Sequence, residues 1–129
     1  MTGPIIADTS VWIGFFKGIE SEAVTVLVDY IENDKDIYLC PAIVQEVLQG
    51  IRNDKQYREI KNYLLAFNIL NDDGLEMAIS AANLYRALRK KGVTIRKSND
   101  CLIAQYAIKH SLAILHKDRD FDLIINNHK

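Results

Sequence analysis

Four acids in this chain stand where a carboxylate can do chemistry: Asp8, Glu46, Asp100 and Asp118. Asp8 directly follows the apolar run Pro4-Ile5-Ile6-Ala7, and Asp118 comes just past a second one, Ala113-Ile114-Leu115. Asp100 opens an apolar helical segment, and Glu46 lies a turn beyond Pro41 with Val44, Val47 and Leu48 as neighbours. Carboxylates gathered without intervening bases repel one another, and a hard divalent cation is what neutralises such a group. Oxygen-only ligands favour Mg²⁺ or Mn²⁺ over softer metals. Taken singly, each acid also has a structural reading: Asp100 as a partner of a helix dipole, Asp118 or Asp120 as a cap on the last helix. Asp8 and Glu46 resist that reading, because an acid set among apolar neighbours is partly desolvated and lacks a partner.

The elements that must position these acids are legible in the spacing of apolar residues. Pro4–Ala7, Ile37–Cys40 and Ala113–Leu115 are short apolar runs that predict buried strands. Helical spacing runs from Ala23 to Ile31 after Ser21 as N-cap, and a further helix starts at Pro41 and carries Glu46. Tyr57, Ile60, Leu64 and Phe67 repeat at helical intervals, as do Leu75 to Leu88 between the caps Asp72-Asp73 and Gly92. Ser98 or Asn99 is the expected cap of a helix whose apolar face is Ile103, Ala104, Ala107 and Ile108. Strands alternating with helices predict an α/β domain spanning residues 1–129, with a small parallel sheet wrapped by helices. In such a sheet ligands bind at the carboxyl ends of the strands, the edge to which the four acids belong.

Composition bounds the function classes. The chain has 129 residues, 49% of them apolar and 26% charged, which excludes collagen, coiled coil and intrinsic disorder. Sixteen basic residues against seventeen acids give a net charge of -1, so no global positive field draws it to nucleic acid or anionic lipid. A local patch is still present. Arg86, Arg89, Lys90, Lys91, Arg96 and Lys97 fall within residues 86–97 with no acid among them, and Arg96 and Lys97, leading into Asp100, are the candidates for phosphate contact. The longest uncharged run, Asn62–Asn71, is far shorter than the roughly 18–20 residues of a membrane helix, and the start of the chain shows no signal peptide. Cys40 and Cys101 lie outside metal-binding spacings and read as buried thiols, which suits a reducing cytoplasm. Trp12, Phe15 and Phe16 read as core or dimer contacts rather than as base-stacking platforms.

Asp8-Thr9-Ser10-Val11-Trp12-Ile13, Gln45-Glu46-Val47-Leu48-Gln49-Gly50, Asn99-Asp100-Cys101-Leu102-Ile103-Ala104 and Lys117-Asp118-Arg119-Asp120-Phe121 resemble, in order, the four acidic motifs of PIN-domain ribonucleases. The chain looks especially like the toxin (VapC-type) half of a toxin-antitoxin pair, and the resemblance spans about Pro4 to Leu123. It implies a pocket holding Mg²⁺ or Mn²⁺ and hydrolysis of single-stranded RNA or a structured RNA such as tRNA. By position Asp8, Glu46, Asp100 and Asp118 are the expected metal-site acids, with Thr9 or Ser10 supporting them and Asp120 as a rival for the fourth place. The resemblance also implies a homodimer and a small antitoxin that places Arg or Lys in the acidic pocket. His116 departs from the family, standing where many relatives have Thr or Ser.

Two other readings stay open at the level of sequence. A receiver-like phosphoacceptor module also has acids at strand ends, although it normally carries an adjacent acid pair after the first strand, where this chain has Thr9-Ser10. An inactive PIN scaffold that only binds protein or RNA is the other, and the presence of all four acids speaks against it.

Overall fold

The computed structural model describes residues 1–129. Four parallel strands, β1 (Ile5–Ala7), β2 (Ile37–Leu39), β3 (Asn68–Ile69) and β4 (Ala113–Leu115), form one sheet in the order β3-β2-β1-β4. The inner strand β1 is the most buried: Ile5, Ile6 and Ala7 are wholly enclosed, as expected of a parallel strand covered on both faces. Ile6 pairs in register with Tyr38 on one side and Ile114 on the other. The order reverses between β1 and β4, so their carboxyl ends flank the crevice of the sheet. Asp8 closes that junction by donating its backbone N–H to the Leu115 carbonyl at 2.9 Å.

Seven helices enclose the sheet: α1 (Thr9–Lys17), α2 (Glu22–Glu32), α3 (Pro41–Gln49), α4 (Asp54–Leu65), α5 (Gly74–Lys90), α6 (Ser98–Lys109) and α7 (Arg119–Asn127). Ser21 caps α2 by accepting from the Val24 N–H, Asp73 caps α5 through the Glu76 N–H, and Pro41 opens α3. The α1 helix turns out of its last turn at Gly18, whose φ of 70° is the left-handed conformation glycine adopts at low cost. Trp12, Leu27, Tyr30, Ile43, Leu64 and Phe121 close the core around β1 and β2.

Three expectations change. A fourth strand, β3, exists where the sequence showed none; two residues long, at the sheet edge and starting with Asn68, it is too short for any alternation to register. Phe67 accordingly lies past the end of α4, in the bend leading to β3. No side chain caps α6, which begins at Ser98 with Lys97 in the cap position, so neither Ser98 nor Asn99 plays the expected role. Trp12 is fully buried, and it packs with Phe15, Phe16 and Phe67 in an aromatic cluster capped by Tyr63. That settles Trp12 as a core residue.

Candidate active site

Asp8 is the N-cap of α1, held at the carboxyl end of β1 and only 7% exposed. Its Oδ2 accepts from the Ser10 hydroxyl at 2.7 Å and from the Ser10 N–H at 3.3 Å. The sequence had left Asp8 without a partner; Ser10 is that partner, and it fixes the carboxylate with one oxygen left over. Thr9, facing the other way, donates its hydroxyl to Glu46 Oε1 on α3 at 2.9 Å. Consecutive residues at one helix start therefore orient two acids from two elements.

Asp100 sits in the first turn of α6 at 5% exposure, and its buried Oδ2 has no hydrogen-bond partner. An unpaired buried carboxylate oxygen is costly. Burial, followed by the negative charge of Asp8, pushes the Asp100 carboxyl up to about 7. Single oxygens of Asp100, Asp118 and Asp120 lie within 4.8 Å of one another. Asp8, Asp100 and Asp118 share a cavity of about 500 Å³ whose other lining includes Ser10, Arg96, Lys97 and Lys117, with no apolar residue among them.

Of the two acids that could cap the last helix, the structure selects Asp118, which also lines the cavity. Asp118, rather than Asp120, is the N-cap of α7: its Oδ1 accepts from the Asp120 N–H at 2.9 Å. The Asp120 side chain is instead 3% exposed and takes the Arg96 backbone N–H at 3.2 Å and Nε at 3.1 Å on its Oδ2. The Arg96 Nη2 reaches Asp118 Oδ1 at 2.9 Å, so one guanidinium bridges both carboxylates. The Asp120 N–H, then the charges of Arg96 and Lys97, hold the Asp118 carboxyl below its ordinary range. Asp100 and Asp118 thus respond in opposite directions to the same cavity, since only Asp118 has donors.

The structure brings Asp8, Asp100 and Asp118 to one cavity, sets an oxygen of Asp120 within 4.8 Å of those of Asp100 and Asp118, and joins Glu46 to Asp8 through the neighbouring Thr9. Glu46 itself does not line the cavity. Lys97 lines it without any acid partner, whereas Arg96 is already engaged. Lys117, whose Nζ lies 3.0 Å from where a Cβ on Gly14 would stand, is a lining cation that sequence spacing did not single out. His116 stays outside the acid cluster, its ring tilted against Phe121 with centroids 5.3 Å apart and its Nε2 3.1 Å from Asp122. Cys40 and Cys101 are buried free thiols, each pushed up to about 11 by burial, and inert at neutral pH.

The set fits a hard cation. It offers oxygen donors only, one of them buried and unpartnered, and neither Asp8 nor Asp100 is held in an ion pair by the lysines that line the cavity. The Thr9–Glu46 bond has its own expected result: Thr9→Val, of equal shape, lowers turnover on the natural substrate roughly tenfold, as loss of a bond that orients a site carboxylate does. Cation affinity measured by calorimetry should stay within about threefold of wild type. A large loss of affinity would mean that Thr9 acts on the acid cluster itself.

The sequence was compared with known proteins. The family description "PIN domain" matches residues 5–125. Ribonuclease VapC11 of Mycobacterium tuberculosis is 38% identical over 122 residues, covering 93% of this chain and 90% of the relative. Among solved structures, FitAcB from Neisseria gonorrhoeae superposes with a TM-score of 0.69 at 21% identity, covering 94% of this chain and 93% of that one. A toxin-antitoxin complex from Klebsiella pneumoniae gives 0.68 at 19% identity, with 89% and 87% covered. These likenesses leave no place for a receiver-like module, and with the acids gathered where the parallel strands end, the chain belongs to the PIN-domain family and to its VapC ribonuclease branch.

Proposed function

We propose that this protein is a divalent-metal-dependent endoribonuclease, the toxin of a toxin-antitoxin pair, acting in the cytoplasm on single-stranded RNA or on a structured RNA such as tRNA. The buried, unpartnered carboxylate of Asp100 beside Asp8 and Asp118 is the observation that carries this reading. The ribonuclease name of the M. tuberculosis relative supports the reaction, and the likeness to the toxin-antitoxin complex from Klebsiella pneumoniae supports the biological setting.

Asp8, Asp100 and Asp118 would hold Mg²⁺ or Mn²⁺, with Asp120 at hand and Glu46 held by Thr9 as the acid that orients water. When bound, the cation lowers the pKa of its water toward neutrality and neutralises charge on the scissile phosphate. Asp100 must lose its proton to become a ligand, and the charge of a bound cation would offset the burial and the Asp8 charge that hold that proton on. Asp8 keeps its orientation through Ser10, and Asp118 keeps its own through the Asp120 N–H and Arg96. Lys97 and Lys117 supply cations for the substrate backbone around an otherwise repelling pocket.

An antitoxin would silence this site by placing Arg or Lys among the carboxylates. Arg96 already displays the contact, with its guanidinium 2.9 Å from Asp118. A homodimer draws support from Leu75 and Ile79, 73% and 53% exposed on the outer side of α5, rather than from the buried Trp12. The test is cleavage of total RNA by purified protein: products should form with Mn²⁺ or Mg²⁺, vanish with EDTA, and vanish again with the cognate antitoxin. Undiminished cleavage in EDTA would overturn the metal role, and no cleavage with either ion would leave an inactive scaffold.

A further inference from the structure

A second cavity, of about 490 Å³, opens between α5 and α6 and shares the Arg96 side chain with the acidic one as a common wall. Its floor is apolar, built from Ala81, Ala82, Ile95 and Leu102, and the half-buried ring of Tyr85 stands on one side. Asn99 and Ser98, in the first turn of α6, face it with an amide and a hydroxyl. No acid lines it, while Arg86 and Arg96 do. Arg89 adds a guanidinium 5.7 Å from the centre of the Tyr85 ring, and Lys97 opens on the acidic side of the wall. Arg86 and Lys97 have no carboxylate partner, unlike Arg96.

An apolar floor, one aromatic ring and a cationic rim do not suit an apolar helix, which has no use for the charges. They suit an unpaired nucleotide, whose base needs a stacking face and polar groups for its edge and whose phosphates need cations. The volume lies in the usual range of about 300–1,000 Å³ for a small-ligand site. Asn99 adjoins Asp100 in sequence, which sets the groove about one residue from the cleavage acids. The start of α6 has no side-chain cap, so the backbone N–H groups of Ser98 and Asn99, two residues that line the groove, are left for a phosphate oxygen.

We propose that the α5–α6 groove receives an unpaired base of the RNA next to the cleaved phosphodiester, and that it sets which sequences the enzyme prefers. This rests on the ribonuclease reading above. The backbone runs from the acidic cavity over Arg96, and the flanking base drops between Tyr85 and Asn99 while Arg86 meets the next phosphate. A duplex cannot enter, since its bases are stacked and paired.

Two substitutions at exposed positions test this without touching the acids: Ala82→Trp, which fills the groove, and Arg86→Glu, which reverses its rim charge. Binding is read by fluorescence anisotropy of a short single-stranded RNA in the Asp100→Asn background, and cleavage by sequencing new 5′ ends from total RNA with Mn²⁺ in the otherwise wild-type background. Each change should weaken binding on the order of tenfold, the scale of one stacked base or lost cation contact. Ala82→Trp should also flatten the base preference beside the cleaved bond. Binding within twofold and an unchanged cleavage map would overturn the proposal, as would a shift in sedimentation with the map unchanged, which would make this face a contact between copies. If the wild-type protein cut no RNA, the ribonuclease reading would fail, and the anisotropy arm alone would still decide the groove.

Discussion

Asp100→Asn should abolish RNA cleavage, lowering the rate about a thousandfold or more, and at the same time stabilise the metal-free protein. The first effect follows from the proposed role of Asp100 as a charged ligand: the several kcal/mol that a cation contributes to stabilising a phosphoryl transition state correspond to about that factor. The second follows from an asymmetry in the fold, since Asp100 is nearly buried and its Oδ2 has no donor. Asparagine keeps the shape and introduces no charge to desolvate. In the native chain the Asp100 carboxyl is raised to about 7, whereas in the unfolded chain it titrates near its ordinary value of 3.8. Between those two values the folded state holds a proton that the unfolded state has released. Metal-free stability therefore falls as pH rises from about 4 through 7. Asp118 and Asp72 have lowered values, so their contributions are lost only as pH falls below about 4, outside that window. Melting in EDTA at pH 5 and pH 8 should show wild type losing on the order of 1–3 kcal/mol across the interval and Asp100→Asn losing little of it. Full activity of the variant would remove Asp100 from the site, and identical pH slopes would remove its buried charge as the cause.

Asp118→Asn and Asp120→Asn should fail in different ways. Asparagine caps a helix about as well as aspartate, so Asp118→Asn keeps the start of α7 and most of the stability while removing a charge from the cavity. If Asp118 holds the cation as proposed, cleavage should drop at least a hundredfold and Mn²⁺ affinity with it. Asp118→Ala removes the cap as well and should cost about 0.5–2 kcal/mol more. Asp120→Asn withdraws a buried carboxylate from Arg96, leaving a guanidinium half-paired, with a cost of about 1–3 kcal/mol in stability and a smaller effect on Mn²⁺. Calorimetric titration of Mn²⁺ with thermal melts of the three variants separates these outcomes. Metal loss in Asp120→Asn with retention in Asp118→Asn would reverse the assignment, and equal losses would mean that both acids share the ion.

Much of the fold was legible because the relevant physics is local. Three of the four strands are runs of consecutive apolar residues, and Ser21, Asp73, Pro41 and Gly92 mark helix ends through backbone groups a few residues away. Strands alternating with helices fix a parallel sheet, and acids placed just after strands necessarily come to its carboxyl edge. Asp8 and Asp118 were placed at that edge by this route, and Asp100 by its position at a helix start. The Asn68–Ile69 strand was not, because two residues at a sheet edge are specified by the neighbouring strand, to which Asn68 also donates through its side chain at the Ile37 carbonyl.

The sequence by itself determined the parallel α/β plan, the buried thiols and the set of acids. Only the tertiary structure decided how those acids differ. The Ser10 hydroxyl satisfies Asp8, the Thr9 hydroxyl turns toward Glu46, and Arg96, more than twenty residues away in sequence, selects Asp118 and Asp120. Asp100 alone is left buried without a donor. Spacing along the chain shows which carboxylates share an edge, but the charge state of each depends on the donors and burial that other segments bring, and those are set by packing.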